Sequence, residues 1–320
     1  MGYYHGLVQC NKFIVFIVYI NYIYSMDTRL LRLFLDLAKT KNFSATAKKH
    51  FRTQPAVSIA IKRLETDLGL QLIDRKGRGI KLTPEAEILK DQMIQILEHV
   101  DDLRFEASLA ARRPAGRVKI ATIHSVGLYE LSSTIKLFVK KYRDIQLDIR
   151  YDSSQKIYDL VENREVDLGI VAFPRKTPAI EVIPMVEDEM VVITPTGEKL
   201  GSRASVSLQE LSGKDFVAFS ESVPTRQAID QVLQSSKVKV NVRFENENIE
   251  TIKKAVEVGI GLSIVPIKCI EKEKQNGQLT VLKINGQTLK RSIGILKSRK
   301  YPLNRAATFF IEKLFKKSAA

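Results

Sequence analysis

The sequence has no tryptophan, only two cysteines and only four histidines in 320 residues. Cys10 and Cys269 can form one disulfide at most and lack a metal-ligand spacing, which is typical of a protein of the reducing cytoplasm. The histidines are scattered without a His-x-x-x-His pair, so zinc chemistry is not expected. Nucleophile-elbow, P-loop and dinucleotide-binding motifs are missing as well, and we therefore expect neither an enzyme nor a bound cofactor.

Long apolar runs are also scarce. Residues 13–24 (FIVFIVYINYIY) hold an unbroken run of eight before Asn21, whereas a membrane-spanning helix needs about 20. Only one lysine precedes the run and no small-x-small cleavage site follows it, which disfavours a signal peptide. Because Met26 directly opens a well-patterned helix, we interpret residues 1–25 as a non-structural extension, such as a misplaced start codon. An N-terminal membrane or partner anchor is the alternative; we expect no membrane association and a cytoplasmic location.

Positive charge is abundant and unevenly distributed. The chain carries 51 Lys and Arg against 36 Asp and Glu, a formal net charge of +15. Residues 26–83 hold 13 cationic against 5 anionic residues, a net +8 in 58 positions, whereas residues 114–320 hold 33 against 24, a net +9 in 207 positions. An excess of cations favours binding to nucleic acid, anionic membranes or acidic small molecules. Its high density in residues 26–83 indicates that this segment is the one that binds nucleic acid.

The pattern over residues 26–83 predicts a winged helix-turn-helix. Apolar residues at helical spacing indicate a first helix over 27–39, and Ser44 is a candidate cap for a second, shorter helix. Thr53 is a candidate N-cap for a third helix, which we expect to end near Gly69. Two short strands with the basic turn RKGR between them then complete the wing.

A long helix follows, over residues 84–113. Thr83 is the candidate cap, Pro84 opens the helix, and apolar residues recur at steps of four and three, as in the a/d seam of a coiled coil. Such a seam either packs on its own domain or pairs with a second copy, and a helix between two domains favours the dimer. The predicted dimerisation residues are Leu89, Met93, Ile96, Val100 and Leu103.

Residues 114–320 alternate strands and helices. The order strand, helix, strand, helix, strand from residue 117 onward predicts a parallel sheet with helices on its faces. The pattern resumes after a proline-rich stretch, which indicates a multidomain α/β chain with a two-lobed C-terminal domain. We expect lobe I over about 117–187 and 266–320, lobe II over about 188–265, and a cleft at the carboxyl ends of the strands.

The third helix of the N-terminal segment is the predicted recognition helix. Gln54 can pair with adenine, Ser58 can reach a base edge or a phosphate, and apolar Ile59 can meet a thymine methyl group. Lys62 and Arg63 suit phosphates or guanine, and Arg78 at the wing tip suits a minor groove. A solvated charged face is the alternative to this interpretation. The predicted DNA-binding residues are Thr53, Gln54, Pro55, Ser58, Ile59, Lys62, Arg63 and Arg78.

Residues 43–87, FSATAKKHFRTQPAVSIAIKRLETDLGLQLIDRKGRGIKLTPEAE, resemble the DNA-binding domain of LysR-type transcriptional regulators. The resemblance implies contacts to DNA from Gln54, Pro55, Ser58 and Arg78. It also implies a linker-helix dimer that is usually assembled into a tetramer, promoter DNA and RNA polymerase as partners, and a periplasmic-binding-protein-like effector domain. The family often has a basic or polar residue where this chain has Ile59, which marks a departure at one expected base contact.

Polar residues at three strand-to-helix junctions outline a candidate effector pocket. Helix N-termini bind anions, and one arginine lies among these residues, so the predicted effector is a small carboxylate or other oxyanion. Ordinary helix capping is the alternative for Ser125, Ser222 or Thr225, and Asn248. The predicted effector-binding residues are Thr122, His124, Ser125, Ser220, Ser222, Thr225, Arg226 and Asn246.

Two functions remain at the level of the sequence. The first is a sequence-specific transcriptional regulator whose promoter binding and bending respond to a small, anionic metabolite. The alternative is a constitutive DNA-binding protein whose α/β domain only oligomerises. A ligand that alters the DNA footprint would distinguish them.

Overall fold

A computed structural model describes residues 26–74, 79–198, 200, 203–286 and 288–315, and the predicted extension 1–25 and wing-tip residue Arg78 lie outside these ranges. The chain divides into two compact units, which meet in sequence between Leu103 and Arg104. Each unit has its own apolar core. Within the described ranges, no helix combines the length and the apolar character needed to cross a membrane.

The N-terminal unit is a winged helix-turn-helix, as predicted. Its helices are α1 (Thr28–Thr40), α2 (Phe43–Lys49) and α3 (Gln54–Leu68), and its wing strands are β1 (Ile73–Asp74) and β2 (Lys81–Leu82). Helix α4 (Pro84–Ala110) follows and opens behind Thr83, whose hydroxyl accepts a hydrogen bond from Ala86 N at 3.2 Å. The predicted cap Ser44 lies inside α2 instead, because Asn42 takes the N-cap position and accepts from Ala45 N at 2.9 Å.

One apolar core holds the three helices and the wing together. Residues spaced three and four apart turn one face of α1 and one face of α3 inward, and the wing adds apolar residues from its first strand. The Glu65 carboxylate ties α3 to the wing, since it accepts hydrogen bonds from Leu72 N at 2.9 Å and Ile73 N at 3.2 Å. The most deeply buried side chains of this core are Leu31, Phe34, Leu37, Val57, Ile61, Leu64 and Leu72.

The first lobe of the C-terminal unit has the predicted parallel strands. β3 (Gly116–Thr122) pairs in parallel with both β4 (Ile145–Tyr151) and β5 (Leu168–Ala172). Helices α5 (Ser132–Lys141) and α6 (Ser154–Glu162) connect these strands, and a π-helical turn (Val126–Glu130) precedes α5. The helix expected over 125–142 is therefore interrupted.

The second lobe is built from β7 (Ser205–Val206), β8 (Asp215–Phe219), α7 (Pro224–Ser235), β9 (Asn241–Asn246), α8 (Ile249–Glu257) and β10 (Ser263–Pro266). β8 and β9 are parallel, and their apolar residues share one buried cluster with α7, α8 and β10. A short helix, α9 (Glu271–Gln275), and strand β11 (Leu279–Ile284) follow β10.

Two strands carry the backbone between the lobes. β6 (Ile180–Pro195) pairs with β12 (Lys290–Ser298) along its first ten residues and with β10 and β11 along the rest. β11 packs in the second lobe's cluster, so the chain returns to lobe I at β12 and not near residue 266 as expected. The alternation of strands and helices in the sequence does not reveal which strands pair. The expected boundary near residue 266 was therefore misplaced. Helix α10 (Arg305–Phe315) closes the chain on lobe I.

Candidate nucleic-acid interface and ligand site

The candidate recognition helix α3 begins and ends at the residues that the sequence predicts. The Thr53 hydroxyl accepts from Ala56 N at 3.4 Å, and Pro55 lies in the first turn, where a missing N–H costs nothing. Gly69 ends the helix in the left-handed region with φ +70°, a conformation that glycine adopts without strain. The helix is therefore held in register at both ends by local chemistry.

The outward face of α3 carries most of the predicted DNA contacts. Thr53, Gln54, Pro55 and Lys62 are exposed and Ser58 is half-buried, whereas the opposite face is in the core. The Ile59 side chain is 68% exposed, so it contributes little to the core and lies with the polar residues. The polar side chains of Thr53, Gln54, Ser58 and Lys62 thus share a surface with the large apolar side chain of Ile59.

Arg63 differs from the other predicted contacts. Its guanidinium lies 3.9 Å from the carboxylate of Asp67 one turn later, and it lines a groove of about 450 Å³ between α3 and the start of α1. Ile59 and Arg52 line the same groove. Arg63 is consequently engaged within its own unit, on a different side of α3 from Lys62.

The predicted seam of α4 is divided between two environments. Leu89 and Met93 pack into the core of the N-terminal unit, whereas Ile96 is exposed and Leu103 is 70% exposed; Val100 is half-buried. A strict heptad drifts by about 20° per seven residues on a straight α-helix, so one seam turns gradually away from the domain on which it starts. Met93 is buried in the core of its own unit and is therefore not free to contact a second copy, contrary to the prediction.

The lobe I junction forms one wall of the candidate effector site. Thr122 is fully buried and its hydroxyl donates to Ile170 O at 3.0 Å, so its proton is used within the sheet. His124 is exposed and its ring stacks on Tyr151 with centroids 5.1 Å apart. Ser125 Oγ accepts from Arg291 Nη1 at 3.0 Å, which directs its own proton away from that arginine.

Arg291 is a residue that the sequence analysis did not identify. It lies on β12, its side chain is 1% exposed, and it forms an ion pair at 3.0 Å with Asp188 on β6, which is equally buried. Burial raises the pKa of the Asp188 carboxyl above its usual range, and the positive charge of Arg291 opposes that rise. In the sequence Arg291 stands between Lys290 and Ser292, ahead of the apolar residues of β12, so no local pattern marks it as buried.

The lobe II junction differs from the prediction in how its arginine is used. The Arg226 guanidinium is buried and bonds to Asp230 at 2.8 Å, to Glu245 at 2.6 Å and to Phe219 O at 2.6 Å. Two carboxylates therefore already balance its charge, and the structure gives it a position that organises the end of β8. Thr225 is buried beside it.

The other lobe II residues divide between exposed and half-buried positions. Ser222 is exposed and Ser220 is half-buried. Asn246 Oδ1 accepts from Asn248 N at 2.8 Å, and Asn248 in turn caps α8. α7 has no side-chain cap, so capping explains Asn248 but not Ser222 or Thr225.

A partly buried polar cluster joins the lobes beside this site. The π-helical turn that follows Ser125 carries Tyr129, whose hydroxyl donates to Glu250 and accepts from Lys253 Nζ at 2.6 Å. Burial, with the hydrogen bond to Glu250, raises the pKa of Tyr129 to about 12. Glu130, in the same turn, bonds to Lys268 Nζ at 2.7 Å. The segment predicted to contact an effector is thus continuous with the contacts between lobes.

Cys269 lies near this cluster and is fully buried. Burial raises the pKa of its thiol to about 12, which leaves almost no thiolate near neutral pH. Among the described residues, no group of three or more His, Cys, Asp and Glu side chains is arranged to hold a metal ion.

Comparison with known proteins gives a family match for each of the two units. Residues 28–87 match the family model described as "Bacterial regulatory helix-turn-helix protein, lysR family", and residues 111–318 match the "LysR substrate binding domain". The HTH-type transcriptional regulator CysL of Bacillus subtilis is 26% identical over 269 residues, which cover 84% of this chain and 90% of that protein.

Solved structures show a similar fold. Full-length OxyR from Pseudomonas aeruginosa superposes with a TM-score of 0.68 at 23% identity, covering 91% of this chain and 95% of the other. The regulatory domain of Synechocystis CcmR, solved in complex with 2-PG, has a TM-score of 0.58 at 24% identity and covers 62% of this chain and 96% of the other.

Proposed function

The chain belongs to the LysR family of bacterial transcription regulators, and we propose that it binds an interrupted dyad in promoter DNA under the control of a small anionic metabolite. As a member of this family it joins a DNA-binding domain to an effector-binding domain. The observation that carries the DNA part is the outward face of α3, where Gln54, Ser58 and Lys62 share one solvent-facing surface. Gln54 can bind a base, Ser58 can bind a base or a phosphate, and Lys62 can bind a phosphate.

The anionic effector is supported by the Ser125 hydroxyl and its buried partner. Because Arg291 donates to Ser125 Oγ, the hydroxyl proton can be donated to an oxygen of a bound ligand. The Asp188 carboxylate balances the charge of Arg291, so the part of Arg291 is to orient the Ser125 hydroxyl, and the exposed His124 side chain precedes Ser125 in the chain. CcmR was solved with 2-PG, which makes 2-PG a sensible first compound to test here.

Self-association through α4 is the proposed route to an oligomer. Ile88, Ile96 and Leu103 are exposed along the helix at spacings of eight and seven residues, which keeps them on one side of it. A second copy would cover this apolar stripe and place two recognition helices for one dyad. We further propose that the protein assembles into a tetramer, contacts RNA polymerase and acts in the cytoplasm, where the chromosome lies.

Footprinting tests the function directly. The chain made from Met1 and the chain made from Met26 are bound to DNA upstream of its own and neighbouring genes, with and without a panel of anions that includes 2-PG and shikimate. We expect protection of an interrupted dyad and a change in its extent with one of the anions. Absence of any protected dyad would contradict the regulator, and protection that no anion changes would favour the constitutive alternative.

Two variant pairs separate the parts of the proposal. Ser125→Ala should abolish the effect of the active anion, whereas Ser133→Ala, at an exposed serine of α5, should not. Leu103→Glu should weaken self-association in sedimentation, whereas Val258→Glu, at a comparably exposed residue of lobe II, should leave it unchanged. Equal behaviour within either pair would contradict the corresponding assignment.

A further inference from the structure

Phe51 is an exposed aromatic side chain next to the recognition helix. It lies in the turn between α2 and α3, and it is 98% exposed, the highest fraction among the large apolar side chains of the described residues. Its backbone is in the left-handed region with φ +53°. An isolated apolar residue on a surface needs no explanation, but a large ring in a conformation that favours glycine or asparagine does.

Hydrogen bonds show why the left-handed conformation is imposed on this residue. Phe51 N donates to Lys48 O at 3.3 Å and Arg52 N donates to Ala47 O at 2.9 Å, the pair of bonds that closes a helix with a Schellman motif. Phe51 takes the position after the C-cap, where glycine is usual. The turn therefore needs the backbone shape but makes no use of the ring, which packs against nothing in its own unit.

The surroundings of Phe51 indicate what covers the ring. Thr53, the N-cap of α3, is two residues away, so the ring borders the end of the helix that carries the predicted base contacts. Lys48 and Arg52 are exposed on either side of Phe51 in sequence, while His50 turns back to the carboxylate of Asp36 at 2.7 Å. An apolar group between two cations matches the sugar–phosphate backbone, whose deoxyribose faces lie between anionic phosphates.

We propose that Phe51 packs on a deoxyribose at the edge of the DNA groove and that Lys48 and Arg52 contact the neighbouring phosphates. This inference rests on the proposed function and adds to it a contact that is independent of base sequence. It also accounts for a phenylalanine at a position where the backbone favours glycine: the ring serves the complex and not the free protein.

Binding measurements with the full chain test the contact. The probes are a duplex that the wild-type protein selects from a randomised pool and a random duplex of the same length, each titrated over a range of salt concentrations. Phe51→Asn should weaken binding to both by the same factor, about threefold to tenfold per subunit if half of the ring is buried on DNA. The slope of log affinity against log salt should not change, because no ion pair is lost. Phe51→Tyr, which keeps the ring, should bind as the wild type does.

Three comparisons make the test specific. Lys48→Ala should lower the salt slope by about 1 per subunit, which Phe51→Asn should not do. Lys237→Asn relieves the same kind of backbone conformation, φ +54°, in the other unit and should leave DNA affinity unchanged. Thermal unfolding should give a midpoint for Phe51→Asn no lower than the wild-type midpoint, because asparagine tolerates the left-handed region.

Three results would overturn the inference. Wild-type affinity in Phe51→Asn would show that the ring does not touch DNA. Weakening of the selected duplex alone would point to base reading, and dissociation of the oligomer in sedimentation would point to a second copy as the true partner. If the wild-type protein selects no duplex at all, the proposed function fails first, which separates the two outcomes.

Discussion

Replacing Arg291 by methionine removes one half of the buried ion pair between β6 and β12. Methionine fills a similar volume but leaves the Asp188 carboxylate, 1% exposed, without its cation, and it deprives Ser125 Oγ of a donor. Removing one partner of a buried pair typically costs about 3–5 kcal/mol, because a charge remains in a medium that solvates it poorly. We expect a loss of that size in the free energy of unfolding near neutral pH.

The pH dependence of that loss follows from the pKa of Asp188. Burial already raises this pKa in the folded protein, and removal of Arg291 takes away the charge that opposes the rise. A carboxyl whose folded pKa exceeds its unfolded value binds a proton more tightly when folded, so its protonation stabilises the fold at low pH and this contribution is lost as pH rises through the folded pKa. The deficit of Arg291→Met should therefore be smaller at pH 5 than at pH 8.

Urea denaturation followed by far-ultraviolet circular dichroism is the appropriate measurement, since the chain has no tryptophan to report on its folding. Lys290→Met is the matched control: it breaks the neighbouring cross-strand pair with Glu187, which is exposed on both sides, and should leave stability unchanged. Arg291→Met combined with Asp188→Leu should recover most of the loss. A deficit below about 1 kcal/mol that is independent of pH would refute the reasoning.

Three further predictions concern single residues. Gly261→Ala should destabilise the chain by about 1–3 kcal/mol in the same urea assay, because an added Cβ would lie 2.5 Å from Asp215 O, where β8 and the start of β10 approach closely; unchanged stability would contradict this packing role. Ile59→Arg should retain general DNA affinity but change base preference at one position of each half-site in a selection from random duplexes, by about 1–3 kcal/mol in favour of the new base; an unchanged preference would leave Ile59 as an ordinary surface residue. Cys269 should resist alkylation by iodoacetamide in the folded chain at pH 8, because a pKa of about 12 leaves a fraction of about 10⁻⁴ of the thiol as thiolate. Peptide mapping distinguishes its labelling from that of Cys10. Labelling of Cys269 at the rate of a free cysteine would show that burial does not protect it.

Local features of both units could be predicted from the residues alone. The spacing of Val57, Ile61 and Leu64 defines the inner face of α3, and Thr53 and Gly69 mark its ends, because caps and amphipathic faces depend on residues within a few positions of one another. The parallel strands of lobe I followed from alternating strands and helices for the same reason. The exposure of Ile59 has the same local cause, because it lies two residues from both Val57 and Ile61 and therefore on the opposite side of α3.

Features that depend on partners far apart in the chain could not be predicted in this way. Arg291 and Asp188 are separated by 103 residues, and only the register of β12 against β6 makes them an ion pair. The same is true of β11, which joins lobe II by pairing with β6, and of Met93, which is buried because α4 leans on its own domain before its seam turns away. Local periodicity states that a face is buried; which surface buries it is determined by long-range packing, and no pattern within one segment contains that information.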